Sequence, residues 1–242
     1  MALNNLSFRT NYLHTYFNSV VIIPDDYQPD YPVVWLLAGY TSDETTYVRH
    51  VNLEKIAREY KCAIIMPETR NAFYTDSDFI PYYSFFINEY MKRIQNIFPI
   101  SKDRENNYIV GSSMGGYGAL KIAFKNSTLF SKVVGLSPIA DILKFRNNPK
   151  CPMPKEAFDN IFKTNNKIKE NQLINIFDEY KPDIDILTIC GDQDFMYEDN
   201  VELANFLKKK TSKYSWKEVT GDHSWETWSS NIDYVFDWIF NK

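Results

Sequence analysis

Tyr108-Ile109-Val110-Gly111-Ser112-Ser113-Met114-Gly115-Gly116-Tyr117-Gly118-Ala119-Leu120 is the stretch on which the reading of this chain turns. The apolar run Tyr108 to Val110 predicts a buried strand. The stretch from Tyr117 to Lys125 predicts a helix. Between them stands Gly-x-Ser-x-Gly, a pattern that chance often produces and that gains meaning from a strand before it and a helix after it. A nucleophile on so tight a turn needs a strained backbone. Its neighbours must be small, because strand and helix pass close together, and Gly111, Gly115 and Gly116 supply that room. The turn lifts Ser113 Oγ out at the end of the sheet. It also sets the following backbone N–H groups at a helix N-terminus, where they can meet a developing oxyanion. A phosphate loop would need Lys after Gly116, where Tyr117 stands, and the spacing does not fit Gly-x-Gly-x-x-Gly. The plain alternative is a glycine-rich packing contact with no chemistry.

Outward from this turn the elements alternate. Strands are expected at Leu6 to Tyr12, Tyr16 to Ile23, Val33 to Leu37, Ala63 to Met66, Val133 to Leu136, Ile186 to Cys190 and Tyr214 to Val219. Helices are expected at Leu53 to Tyr60, Glu198 to Lys209 and Tyr234 to Phe240. Ile80 to Phe98 carries Phe86, Tyr90, Ile94 and Ile97 at helical spacing. Strands separated by helices of this length imply βαβ crossovers and a mostly parallel sheet, so the class is α/β in one domain spanning 1–242. The stretch 139–180 breaks the alternation. It is polar, holds Pro149, Pro152 and Pro154, and reads as an insertion over the C-terminal edge of the sheet, where open α/β sheets bind ligands.

A serine hydroxyl needs a base. In an elbow of this kind the acid and then the histidine follow the serine in the chain. Of three histidines, His14 and His50 precede Ser113 and read as structural or exposed. His223, in Gly221-Asp222-His223-Ser224-Trp225, has the right order. The acid that orients the imidazole belongs in the turn after Ile186 to Cys190, where Asp192 and Asp194 compete. Asp194 is preferred, and the competing reading of Asp192 is a solvated turn carboxylate. A second oxyanion donor is expected from the loop after Val33 to Leu37, so the backbone N–H groups of Tyr40 and Met114 would share one oxygen.

Composition narrows the classes. The 242 residues carry a net charge of −4 and are 44% hydrophobic, 24% charged and 16% aromatic. A disordered or collagen-like chain is excluded, and without a basic face nucleic acid is not an expected partner. Lys208-Lys209-Lys210 reads as a helix end. No apolar h-region opens the sequence and no apolar run of about 18 residues occurs, so neither a signal peptide nor a membrane span is expected. Cys62, Cys151 and Cys190 read as reduced thiols of a cytoplasmic protein, and no His or Cys pair has metal-ligand spacing. Glycine is scarce, 8 residues against roughly 17 at average usage. Seven of them fall on the Gly39 loop, the serine turn, the acid turn and the base turn; Gly135 alone has no evident role.

Taken with Trp35-Leu36-Leu37-Ala38-Gly39-Tyr40, Met66-Pro67, Asn71-Ala72-Phe73-Tyr74-Thr75-Asp76 and Cys190-Gly191-Asp192-Gln193-Asp194-Phe195-Met196-Tyr197-Glu198, the serine and histidine motifs make the chain resemble the esterase D group of α/β-hydrolases. Within that group it is most similar to bacterial tributyrin esterases and S-formylglutathione hydrolases. The resemblance implies an α/β-hydrolase fold with an antiparallel N-terminal strand pair, helices on both faces, and Asp194 as the acid. It also implies cofactor-free hydrolysis of short-chain acyl esters. Thioester hydrolysis or carbohydrate deacetylation by the same triad are alternatives, and a silent hydrolase fold used as a binding module is disfavoured by the intact Ser113, Asp194 and His223. An acyl pocket is expected to draw on Phe73, Tyr74, Tyr82, Tyr83 and Trp225, with core packing as the competing explanation for each. The partner implied is a small-molecule ester, with self-association left open. Two departures from the family pattern stand at the oxyanion loop: Ala38 replaces the usual His, and Thr41-Ser42-Asp43-Glu44 replaces further glycine, so that loop is expected to take a different shape.

Overall fold

Every residue of Val33–Leu37 is buried, and successive residues enter different cores. Val33, Trp35 and Leu37 join one apolar cluster, Val34 and Leu36 the other. A strand sends alternate side chains to opposite faces. With both faces covered, the run is continuously hydrophobic rather than alternating. The structure, a computed structural model, describes residues 2–26 and 29–240.

In chain order the strands are β1 (Ala2–Arg9), β2 (Tyr16–Ile23), β3 (Val33–Leu37), β4 (Ala63–Pro67), β5 (Asn107–Ser112), β6 (Lys132–Leu136), β7 (Asp185–Gly191) and β8 (Tyr214–Val219). They form one sheet in the order β1-β2-β4-β3-β5-β6-β7-β8. The strands from β4 through to β8 run parallel to one another. The strand β2 is antiparallel to both its neighbours, β1 and β4. The helices Met114–Lys125 and Tyr197–Lys210 contribute Tyr117, Leu120, Leu203 and Leu207 to the first cluster. Leu53–Tyr60 and Ile232–Phe240 supply Ile56, Tyr60, Val235 and Phe236 to the second. The expected mostly parallel sheet with an antiparallel N-terminal pair and helices on both faces is therefore observed.

The chain steps from β3 outward to β4 and then returns to β5 on the other side of β3. The loops after β3 and β5 thus diverge from neighbouring strands, which opens a crevice at their carboxyl ends. Tyr40 follows β3 and Ser113 follows β5.

Several elements differ from expectation. The first strand is Ala2–Arg9, not Leu6 to Tyr12. Thr10 ends it: its hydroxyl accepts the N–H groups of Tyr12 and Leu13, and its own N–H donates to Thr15 O, which closes a turn. The 80–98 region is helical from Tyr82 to Ile97 but passes through a π-helical segment at Phe86–Tyr90, and Ile97 lies exposed at its end. The helix after Ser113 starts at Met114, three residues earlier than expected, with Gly115 and Gly116 in its first turn. A Cβ on Gly115 would lie 2.0 Å from Leu37 O and one on Gly111 2.2 Å from Gly115 O. Helix and strands are in backbone contact there, and that packing offsets the poor helix propensity of glycine. Gly135 also gains a reason, since a Cβ there would meet Pro138 and Leu120 at 3.1–3.3 Å. Residues 139–180 form four short helices, Ile142–Asn147, Lys155–Ile161, Asn165–Glu170 and Leu173–Tyr180. Asp141 caps the first by accepting from Leu143 and Lys144 N–H.

Candidate active site

Ser113 occupies the junction of β5 and the helix Met114–Lys125 with φ 54° and ψ −118°. A non-glycine residue held there is strained by roughly 1–3 kcal/mol. The surroundings hold it in place. Its N–H donates to Leu136 O at 2.8 Å, and its carbonyl accepts from Tyr117 N–H at 3.0 Å and Ile139 N–H at 3.3 Å. One residue earlier, Ser112 Oγ accepts from the buried Tyr47 hydroxyl at 2.9 Å. The strain therefore aims the Ser113 side chain toward the crevice.

His223 comes from the turn after β8, and its Nε2 lies 2.9 Å from Ser113 Oγ. Its Nδ1 lies 2.8 Å from Asp194 Oδ2. Asp194 follows β7, and its side chain is fully buried while that of His223 is 16% exposed. The second carboxylate oxygen of Asp194 accepts from Met196 N–H at 2.8 Å. A buried carboxylate with both oxygens engaged orients the ring without swinging away. Asp192 is exposed and turned elsewhere, accepting the Gly221 N–H at 3.1 Å. The imidazole is flanked edge-on by Phe195 at 4.7 Å and Trp228 at 4.9 Å between centroids. Behind the acid, burial and the charge of Asp194 push the Cys190 thiol up, so that neighbour stays protonated.

The loop after β3 lies against the serine: a Cβ on Gly39 would be 3.4 Å from Ser113 Cβ. Met114 opens the helix that follows Ser113, so its N–H stands at a positive helix end. The segment after β4 braces the Gly39 loop at three points. Tyr74 hydroxyl donates to Ala38 O at 2.8 Å, Thr41 N–H donates to Asn71 Oδ1 at 2.8 Å, and Thr69 hydroxyl donates to Ser42 O at 2.9 Å. The family-atypical Thr41 has φ 64°, so the loop turns through a left-handed residue just past Tyr40.

A cavity of about 240 Å³ opens on Ser113 and His223. Its apolar wall is Phe145, Pro152, Phe195, Trp225 and Trp228, with Tyr40 beside the loop. Of the aromatics expected here, Trp225 lines it. Phe73, Tyr74 and Tyr82 do not: all three are fully buried core residues. The Phe73 ring packs among Tyr117, Phe145, Phe158 and Phe162, and the Tyr82 hydroxyl donates to Glu68 O. Tyr83 borders a different cavity. A sequence rich in aromatics offers no local mark separating a ring that faces a ligand from one that faces the core. Phe195 and Trp228 did carry a signal, being next to Asp194 and three residues after Trp225. Phe145 and Pro152 come from the 139–180 segment and carried none. His50 is placed against the site from outside, its ring stacked on Trp225 at 4.4 Å. Among the described residues no helix is long and apolar enough to cross a membrane.

Comparison with known proteins agrees with this geometry. A family model described as putative esterase matches residues 10–238. The chain is 28% identical to an acetyl esterase of Caldicellulosiruptor saccharolyticus, over 99% of this chain and 98% of that one. Among solved structures it is similar to the fluorophosphonate-binding serine hydrolase F of Staphylococcus aureus, with TM-score 0.90 and 29% identity over 100% of this chain and 99% of that one. It is also similar to an S-formylglutathione hydrolase of Staphylococcus aureus, with TM-score 0.89 and 30% identity over 99% of both chains.

Proposed function

This chain belongs to the putative esterase family and is an α/β-hydrolase esterase of the esterase D and S-formylglutathione hydrolase-like group, and from that premise we propose that it is a serine carboxylesterase for acetyl to butyryl esters. One observation carries the reading. A file of hydrogen bonds runs from Ser113 Oγ to His223 Nε2 and from His223 Nδ1 to Asp194, beside a small cavity with an apolar wall.

Ser113 Oγ attacks the ester carbonyl while His223 Nε2 takes its proton. Asp194, ionised throughout, stabilises the imidazolium that forms. The N–H groups of Tyr40 and Met114 receive the tetrahedral oxyanion, each such donor being worth roughly 3–4 kcal/mol in enzymes where one has been removed. His223 then protonates the departing alcohol. Water, deprotonated by the same histidine, opens the acyl-enzyme and releases the acid. The chemistry draws on no group outside the chain.

The cavity supports a small apolar acyl group, with Trp225, Trp228 and Phe195 as its closest aromatic walls. Chain-length preference is graded, since each methylene changes discrimination by about 1–3 kcal/mol. A thioester reading is favoured by the likeness to an S-formylglutathione hydrolase. Against it, no lysine or arginine lines the cavity to meet an anionic thiol leaving group. Three unpaired cysteines, two of them buried, support a reducing, cytoplasmic setting. The deciding experiment is a panel of p-nitrophenyl esters of graded acyl length, with tributyrin, S-formylglutathione and acetylated sugars alongside. Acetyl to butyryl esters are expected to give the highest kcat/KM. A maximum on S-formylglutathione or on a sugar acetate would replace the ester assignment.

A further inference from the structure

A second cavity, of about 330 Å³, lies between the helix Met114–Lys125 and the helix Asn165–Glu170, and it shares no lining residue with the cavity at Ser113. Three lysines border it: Lys121 and Lys125, one helical turn apart, and Lys167 from the opposing helix. Among the described residues none of the three makes an ion pair.

Lys121 is the unusual member. It is 2% exposed, and its Nζ meets one hydrogen-bond acceptor, Thr75 Oγ1, at 2.6 Å. The rings of Tyr117 and Tyr83 lie 5.6 and 5.8 Å from it. An ammonium group carries three donors, so the protein leaves this one short of acceptors. Two acids border the cavity without pairing with these lysines. Asp76 is engaged by the N–H and hydroxyl of Ser84, at 2.9 and 2.6 Å, and Glu170 is exposed. Burial, joined by the repulsion of Lys125 and Lys167 and opposed by Asp76, holds the Lys121 ammonium well below the usual lysine range. A buried cation without a countercharge is costly. A small anion in the cavity would supply both the charge and the acceptors that are lacking.

We propose that this cavity is a binding site for a small oxyanion, a carboxylate or a phosphate. Lys121 holds it from the buried end, and Lys125 and Lys167 hold it from the sides. Thr164 and Asn166 offer neutral hydrogen-bond groups at the same cavity. Lysine suits this task as a point charge that accepts either anion.

The test is isothermal titration calorimetry of the whole protein with inorganic phosphate and, separately, with butyrate. The parent is compared with Lys121→Met and Lys167→Gln, and circular dichroism verifies that each variant is folded. Saturable binding of one equivalent at millimolar anion is expected, weakened about tenfold or more in both variants, as loss of a charge-assisted contact requires. Saturation by butyrate alone marks a carboxylate site, and by phosphate alone a phosphate site. Absence of saturation by either anion overturns the proposal. So does equal affinity in parent and variants, which means an adventitious ion only. If Lys121→Met does not fold, the half-exposed Lys167→Gln decides alone.

Discussion

Asp194 Oδ2 lies 2.8 Å from His223 Nδ1 with the whole Asp194 side chain out of solvent, whereas Asp192, two residues earlier, binds only the Gly221 N–H. An aspartate in that position keeps the imidazole in the tautomer that can accept the serine proton. Asp194→Asn is therefore expected to lower kcat by about 10⁴-fold, the loss seen when the equivalent carboxylate is neutralised in a serine protease. Asp192→Asn is expected to stay within about tenfold of the parent, because it removes one exposed hydrogen bond. Steady-state kinetics on p-nitrophenyl butyrate separates them, and a reversed order would transfer the acid role to Asp192.

Ser113 is the expected covalent residue. An organophosphonate should add once, with mass spectrometry placing the adduct on Ser113, and Ser113→Ala should abolish both labelling and turnover. Turnover that survives in Ser113→Ala would rule out the acyl-enzyme route.

Tyr74 stands beneath the oxyanion loop rather than in the acyl cavity, and its hydroxyl donates to Ala38 O. Tyr74→Phe strands that carbonyl in the core, at a cost of roughly 1–3 kcal/mol in stability. Because the hydrogen bond positions donors for the transition state, kcat should fall while the ranking of acyl lengths stays the same. A changed acyl preference with kcat intact would return Tyr74 to the pocket.

Gly115 faces the carbonyl of Leu37, where a Cβ would sit at 2.0 Å. Backbone on both sides leaves nothing to move aside, so Gly115→Ala is expected to lower Tm and activity together. Lost activity with an unchanged Tm would contradict the packing role.

Lys121 should leave a signature in the pH dependence of stability. Its folded-state pKa is depressed by burial, so between that value and its unfolded value of 10.5 the unfolded chain holds a proton that the folded chain lacks. Stability from this group therefore rises with pH through that window, by up to about 1.4 kcal/mol per pH unit. Urea melts of the parent and of Lys121→Met, in phosphate-free buffer, should show the parent gaining on the variant as pH rises toward 10. A difference independent of pH would mean that Lys121 is not desolvated.

Much of the fold was legible because its signals are local. The limits of β2, β3 and β8 and of the helix Leu53–Tyr60 coincide with the apolar runs that mark them. Ends set by side-chain capping or by contact were not legible. Thr10 stops β1 early with a turn of its own, and the contact between Gly115 and Leu37 lets the helix begin at Met114.

The chain by itself determined the α/β class, the serine elbow, and the order in which serine, acid and histidine follow one another. Those features rest on periodicity and on steric needs of a few adjacent residues. Only the tertiary structure decided which aspartate reaches His223 and which aromatics meet the cavity. It alone put Tyr74 under Ala38, Phe145 and Pro152 beside Ser113, and three lysines around one space. Each of those is a contact between segments far apart in the chain. It is set by how faces stack across the sheet, and a side chain's neighbours along the sequence carry no record of that stacking.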